Sequence, residues 1–442
     1  MKSNYFDNLP LLQKDEAISI LRIPLEKINR KSDYYKAAYH LSNYPCTETE
    51  QALIELLNYN SDSQAILIAK RIAITSLSRI NSFASIPLIL KYLNNEDPYL
   101  VENAALALND LNYTTAKVIQ TILSLLENPS QNRRTLLHVL IKMKAFCAIP
   151  KMIELMNDIS LSPSIRGASA AGLFKLSGNK KTLKLLKKYM FVDNQNNRHC
   201  AVNDIIIAEA YELLPDLLRC PVSPTFRINA IDRMSQNGNS GKDNEKLKCW
   251  LDSLLLDNPN DLIMLKSYKK NHDICFLIEE LFNPDFAYSY LALKTIINQL
   301  SYSYLWQIVD RFNDAKKDYG ALYFFLILLM QYKIVDKSLL DFVQELALFC
   351  LSDKWSQYMK FRPVAITLLI HINPLFINEY INTWIDDSKT LYWFSRYAAL
   401  HALGKTLDNT NYSCYRQNIL IASKDNHRLV RIKALSILNK YT

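Results

Sequence analysis

One order of residues returns along this chain: a charged residue, then small alanines, then leucines at helical spacing. It reads KRIAITSLSRI from Lys70, VENAALALNDL from Val101 and SRYAALHALGKTL from Ser395. Apolar positions three and four apart form one face of a helix. The charged position falls at Arg71, Glu102, Arg134, Arg166 and Arg198, 31 or 32 residues apart, and returns at Arg362, Arg396 and Arg431, 34 and 35 apart. A fixed period in this range predicts helix pairs that stack into a solenoid, because a single pair cannot bury its own apolar face. The expected fold is all-α, and function falls to a surface lining a long array.

The pattern also predicts the organisation. A lead-in helix is expected around Glu16–Leu21, with repeats running from Asp33 to about Arg233. Pro87, Pro98, Pro150, Pro163 and Pro215 punctuate helix ends, since proline cannot continue the hydrogen-bond ladder. The polar segment QNGNSGKDNE, Gln236–Glu245, reads as a long loop or hinge. It divides one continuous superhelix into two arms, 1–236 and 246–442. Helices after the loop are longer, less regular and more aromatic, and clear repeats resume at Trp355. The chain holds only 7 glycines, against roughly 30 at average usage. So few glycines imply few turns with positive φ, which disfavours β and doubly wound folds.

Charge and composition narrow the function. A net charge of +9 suits an anionic ligand or partner, but no basic run marks a nucleic-acid arm. The eight cysteines include no CxxC pair, and most of them read as reduced, buried small hydrophobes. The opening MKSNYFDNLPLLQKDE carries no cleavable signal, so a cytoplasmic protein is expected. The most apolar stretch, Tyr319–Tyr332, is too short to span a bilayer. No phosphate loop, dinucleotide fingerprint, HExxH or GxSxG motif occurs, which leaves no support for a nucleotide enzyme, a hydrolase or a metal site.

Two segments stand out. In DYYKAAYHLSNYP, Asp33–Pro45, Asp33 is placed to cap a helix on which Tyr34 and Tyr35 crowd beside Tyr39 and His40. These residues serve either as an end cap of the array or as an aromatic wall. In KKDYGALYFFLILL, Lys316–Leu329, Asp318 and Tyr319 sit at the mouth of the most apolar helix, just before Gly320. A carboxylate and a phenol on an apolar wall can move protons or bind pyrrole N–H groups, or can simply cap the helix. Gly320 would let a ligand or backbone approach closely. The recurring arginines bond to the next repeat as a ladder, or project into the groove toward carboxylates.

The repeats, and DYYKAAYHLSNYP followed by ETEQALIELL in particular, resemble the HEAT-like repeats of phycobilin lyases of the E/F clan. The likeness is best over 30–180 and extends to the long single-chain members that act on phycoerythrin in cyanobacteria. It implies a HEAT-like α-solenoid that attaches phycoerythrobilin by a thioether to a cysteine of a phycoerythrin subunit, the alpha subunit in first place, with isomerisation to phycourobilin as a further activity. No cofactor is implied, the linear tetrapyrrole being substrate. The acceptor supplies the nucleophilic thiol. Asp318 and Tyr319 are then the catalytic candidates, and Asp33, Tyr34, Tyr35, Arg71, Glu102 and Arg166 the substrate-binding ones. The competing reading is a non-catalytic HEAT-repeat scaffold that binds a protein partner. A nucleic-acid-binding solenoid is disfavoured because acidic residues interleave with the basic ones.

Overall fold

The structure, a computed structural model, describes residues 11–61, 63–237, 244–268, 272–299, 305–311, 318–332, 334–352, 360–408 and 410–441. Among them there is no strand. The helices are α1 (Lys14–Arg22), α2 (Ser32–His40), α3 (Thr47–Asn58), α4 (Gln64–Arg79), α5 (Ile86–Tyr92), α6 (Pro98–Asp110), α7 (Ala116–Leu125), α8 (Arg133–Lys142), α9 (Ile149–Asn157), α10 (Pro163–Ser177), α11 (Leu183–Tyr189) and α12 (Gln195–Ala208). There follow α13 (Leu214–Leu218), α14 (Pro224–Asn237), α15 (Asn244–Leu256), α16 (Ile274–Glu280), α17 (Phe286–Gln299), α18 (Leu305–Asp310), α19 (Tyr319–Leu329), α20 (Lys337–Ser352), α21 (Arg362–Ile372), α22 (Phe376–Trp384), α23 (Trp393–Thr406), α24 (Tyr412–Ala422) and α25 (Arg428–Tyr441). The fold is the all-α, HEAT-like solenoid that the period predicts. Pro87, Pro98, Pro150, Pro163 and Pro215 all sit in first turns, where a missing N–H costs nothing.

The chain forms two compact units, Met1–Leu186 and Lys187–Thr442. The division expected near 236–246 falls inside the second unit, where α14 and α15 pack on each other. Residues 238–243 of that expected hinge lie outside the described residues.

In the first unit α2, α4, α6, α8 and α10 pack in succession as an inner row, and α3, α5, α7 and α9 each cover an inner partner. Inner helices end alike. Asn81, Asn112 and Lys144, with φ of 56°, 56° and 54°, adopt the left-handed conformation just past α4, α6 and α8. The amide one residue further bonds back across the last turn, Ser82 to Leu77 O at 2.9 Å, Tyr113 to Leu108 O at 2.8 Å and Ala145 to Leu140 O at 3.0 Å. This is the Schellman closure, usually made by glycine. Glycine scarcity therefore did not remove the positive-φ turns. Asparagine, lysine and, after α12, Glu209 occupy them instead, and among the described residues Gly178 after α10 is the one glycine with positive φ.

The recurring charged position forms the ladder of the structural reading. Arg71 donates to Asp97, the cap of α6, at 2.7 Å. Glu102 accepts from Asn132, the cap of α8, at 2.5 Å. Arg134 reaches Ser164 O at 3.0 Å. In the second unit the contact becomes buried. Arg198 donates to Val192 O and Asp193 O of the loop before its own helix, and to Asp285 at the start of α17. Arg396 repeats this, donating to Thr390 O and Leu391 O behind it and bidentately to Asp425 ahead at 2.7 and 2.8 Å. Arg431 makes the same backward pair, to Asp425 O and Asn426 O.

The second unit departs from a simple row. Its inner helices α17, α19, α21, α23 and α25 succeed one another, but α25 then packs on α14 and α15. Asp252 of α15 accepts from Lys433 at 2.7 and 2.8 Å, Tyr397 at 2.8 Å and His401 at 2.9 Å. The array thus closes on its own beginning through α15.

Two measurements test this ladder. Arg396 and Asp425 are each 2% exposed, so Asp425→Ala leaves a buried unpaired guanidinium and should cost about 3–5 kcal/mol in denaturant unfolding. A loss under about 1 kcal/mol, the range of exposed pairs, would refute a buried ladder. For Asp252, burial alone would raise the pKa, but the hydrogen bond from His401 and the Lys433 charge outweigh it and bring it from 3.8 down to about 2. A depressed acid stabilises the fold above the unfolded pKa and loses that stabilisation as pH falls through the folded one. About 2 kcal/mol should therefore disappear between about pH 4 and pH 2. In Asp252→Asn that part of the acid limb should flatten, and an unchanged limb would contradict the assignment.

Candidate functional site

The residues singled out in the sequence lie in both units. In the first, Asp33 is not the cap of α2. The helix starts one residue earlier, at Ser32, which puts Asp33 in the first turn, where its carboxylate pairs with Lys36 at 3.3 Å. That turn favours negative charge. Tyr34 is buried and donates its hydroxyl to Ile23 O, tying α2 to the segment after α1. Its pKa is raised, first by burial, then by Tyr59 and Glu26, so it stays a neutral donor. Tyr35 is half-buried beside it.

Arg71 and Glu102 come together on the inner row. Arg71 lies over the Tyr99 ring at 4.4 Å while bonded to Asp97. Burial pushes the Glu102 carboxyl up, against the hydrogen bonds from Asn132 and Thr135 and the charge of Arg71. Arg166 lies two inner helices further on, donating to Met156 O at 3.0 Å.

In the second unit, Asp318 caps α19, with Oδ1 accepting from Gly320 N at 2.8 Å and Ala321 N at 2.9 Å. That bond explains Gly320. A Cβ there would stand 3.2 Å from Asp318 Oδ1, so the glycine accommodates the capping carboxylate. Beside the cap, burial pulls the Lys360 pKa down, and the Asp318 charge opposes the fall. Tyr319 stacks on Phe361, with ring centres 6.4 Å apart. The mouth of α19 thus holds a carboxylate, a half-buried ammonium and two rings.

One helical turn below Tyr319, on the same face, Tyr323 enters a network that sequence reasoning missed. Its hydroxyl donates to Asp257 Oδ2 at 2.6 Å. Arg227 donates to both oxygens of Asp257 at 2.8 and 3.1 Å and to the Tyr290 hydroxyl, and Tyr290 donates to Asp257 Oδ2 at 2.5 Å. Arg227, Asp257, Tyr290 and Tyr323 are all at most 2% exposed. Burial drives both phenols well above their usual pKa, keeping them neutral donors. A cavity of about 290 Å³ reaches Arg227 and Asp257 past Leu218, Trp250 and Leu254. Arg227 follows Arg198 by 29 residues, so the period could have flagged it. Its flanks, PTFRINAIDRM, lack the alanine–leucine run.

With four donors, the Asp257 carboxylate is fully committed and acts as a knot joining α14, the end of α15, α17 and α19. Through Tyr323 the knot ties down the helix whose first turn carries Asp318 and Tyr319. Tyr323→Phe removes one of the four bonds and should cost about 1–3 kcal/mol of unfolding free energy. Stability equal to the parent would show that the knot does not depend on the phenol.

Among the described residues there is no group of three or more His, Cys, Asp or Glu placed to hold a metal, and no helix is long and apolar enough to cross a membrane. No family model matches the chain. It is 29% identical over 377 residues to "Bilin biosynthesis protein CpeY" of Synechococcus sp. (strain WH8020), covering 84% of this chain and 89% of that one. It is also 29% identical over 422 residues to "Uncharacterized phycocyanin operon protein Y" of Pseudanabaena tenuis (strain PCC 7409), covering 94% and 97%. The solved complex of CpcE and CpcF of phycocyanin lyase from Nostoc sp. PCC7120 superposes with a TM-score of 0.47 at 21% identity, over 56% of this chain and 96% of that one. Near full-length similarity to these two relatives joins the repeats and the tyrosine-led opening in likening the chain to phycobilin lyases of the E/F clan.

Proposed function

We propose that this bilin lyase attaches phycoerythrobilin through a thioether to a cysteine of a phycoerythrin alpha subunit, in the cytoplasm, with no cofactor. The observation that carries the reading is the match to a bilin biosynthesis protein along 89% of that relative's length. The substrate is a flexible open-chain tetrapyrrole, and its acceptor is a phycobiliprotein.

In the attachment step the acceptor's thiol adds to an electrophilic carbon of the bilin. A C–S bond forms, the thiol proton is lost, and a proton is delivered to the bilin. The lyase need supply no nucleophile. Its part is to orient the bilin and to hold and move protons. Asp318 fits the role of counter-ion to a protonated tetrapyrrole, because both of its capping bonds go to Oδ1. A cationic tetrapyrrole is the better electrophile. Tyr319, next to it in the chain, is proposed to move the proton that isomerisation to phycourobilin takes from one carbon of the bilin and returns to another. Asp33, Tyr34, Tyr35, Arg71, Glu102 and Arg166 are proposed on the substrate-binding side. There Glu102, its pKa raised by burial, is the group best suited to donate a proton.

Co-expression of the chain with phycoerythrobilin synthesis and phycoerythrin subunits should yield a covalently coloured alpha subunit. Absorbance at the phycourobilin rather than the phycoerythrobilin band would add isomerisation, and colourless subunits would overturn the reading. Asp318→Asn keeps a capping oxygen but removes the charge. It should leave helical circular dichroism intact and slow attachment at least roughly tenfold, about 1.4 kcal/mol of transition-state stabilisation. Full activity in both Asp318→Asn and Tyr319→Phe would remove these two residues from the chemistry.

A further inference from the structure

A second cavity, of about 430 Å³, lies in the second unit. It opens between the end of α20, the starts of α21 and α23, and the end of α22. One wall is aromatic: Tyr380 and Trp384, one turn apart on α22, stack with ring centres 5.3 Å apart and planes 15° from parallel. Ile366 supplies apolar surface. Two cations line the cavity, Arg362 in the first turn of α21 and Lys389 in the loop before α23. Lys389 stands 3.6 Å from Asp386, an exposed and loose pairing that leaves the ammonium able to turn to another anion.

Two features show that this hollow is more than a gap in packing. Ser395 lines it, is 1% exposed, and its Oγ has no hydrogen-bond partner. A buried hydroxyl left unpaired is costly and marks a place where a partner belongs. The ladder also changes here. The capping position that holds Asp97 before α6 and Asp285 before α17 holds Tyr392 before α23. The capping position before α23 thus carries an aromatic residue, beside an open cavity lined by cations.

We propose that this cavity is a binding subsite for a planar conjugated acid, taking one end of the open-chain tetrapyrrole with its propionate. The inference rests on the lyase reading and extends it to residues of α21, α22 and α23. The pyrrole plane lies against Tyr380 and Trp384. The propionate meets Arg362 and Lys389, and Ser395 donates to it or to a lactam oxygen. A volume of about 430 Å³ suits part of such a ligand, leaving the remainder exposed toward the acceptor.

The test uses the full chain in a transfer assay with phycoerythrobilin and a phycoerythrin subunit. In the double variant Arg362→Gln, Lys389→Gln the KM for bilin should rise about tenfold, the effect falling on KM rather than kcat. The bilin dimethyl ester should show the same weakened KM with the parent and no further loss with the variant. Should Arg362→Gln disturb folding by circular dichroism, Lys389→Gln with Tyr380→Leu serves, since both residues are largely at the surface of the cavity. A parent that transfers bilin, with KM for the acid unchanged in the variants, overturns the subsite and leaves the lyase reading standing. A parent that transfers none overturns the lyase reading. Direct absorbance titration of phycoerythrobilin then decides the cavity alone: weaker binding by the variant upholds it and equal binding refutes it.

Discussion

The second unit depends on one helix and two carboxylates. Asp252 and Asp257 lie five residues apart, on α15 and just past its end, and so point to different sides. Asp257 gathers Arg227, Tyr290 and Tyr323. Asp252 gathers Tyr397, His401 and Lys433 from helices 145 to 181 residues further on. On the same helix, Leu247, Leu251, Leu254 and Leu255 are buried. The hydrophobic face binds α15 in place. The two carboxylates specify which helices it touches; for the buried Asp257, a charge without its partners would forfeit about 3–5 kcal/mol.

This constraint bears on function because it leaves the catalytic candidates on a rigid support. Tyr323, drawn to Asp257, fixes the face of α19 whose mouth carries Asp318 and Tyr319. At the other end of the unit, Arg396 and Asp425 fix α23 and α25, and α23 begins beside the cation-lined cavity. A reaction that needs only orientation, protonation and exclusion of water asks for a scaffold of this kind, with few polar groups on stiff apolar walls.

The inner helices of the first unit were legible because their period is carried by short-range order: a charge, alanines, leucines, and a turn every 31 or 32 residues. The ladder was legible as one of two readings of the same arginines. It proved to be the one seen at Arg71 and Arg396. Positive-φ turns are few among the described residues, as expected, but Asn81, Asn112, Lys144, Glu209 and Asp257 take that conformation more often than glycine does. Asp318 was legible as a cap, whereas the cap expected at Asp33 lies two positions earlier, at Lys31. The role of α15 was hidden. No local pattern announces that Asp252 will meet Lys433, 181 residues away, and Arg227 escaped notice because its neighbours do not repeat the alanine–leucine run.

The central claim is that α15 unites the second unit, and native-state hydrogen exchange tests it most directly. In the double variant Asp252→Asn, Asp257→Asn, amide protection should fall together in α14, α15, α19, α23 and α25, as one cooperative opening. Loss of protection confined to α15, with α19 and α25 exchanging as in the parent, would contradict the account.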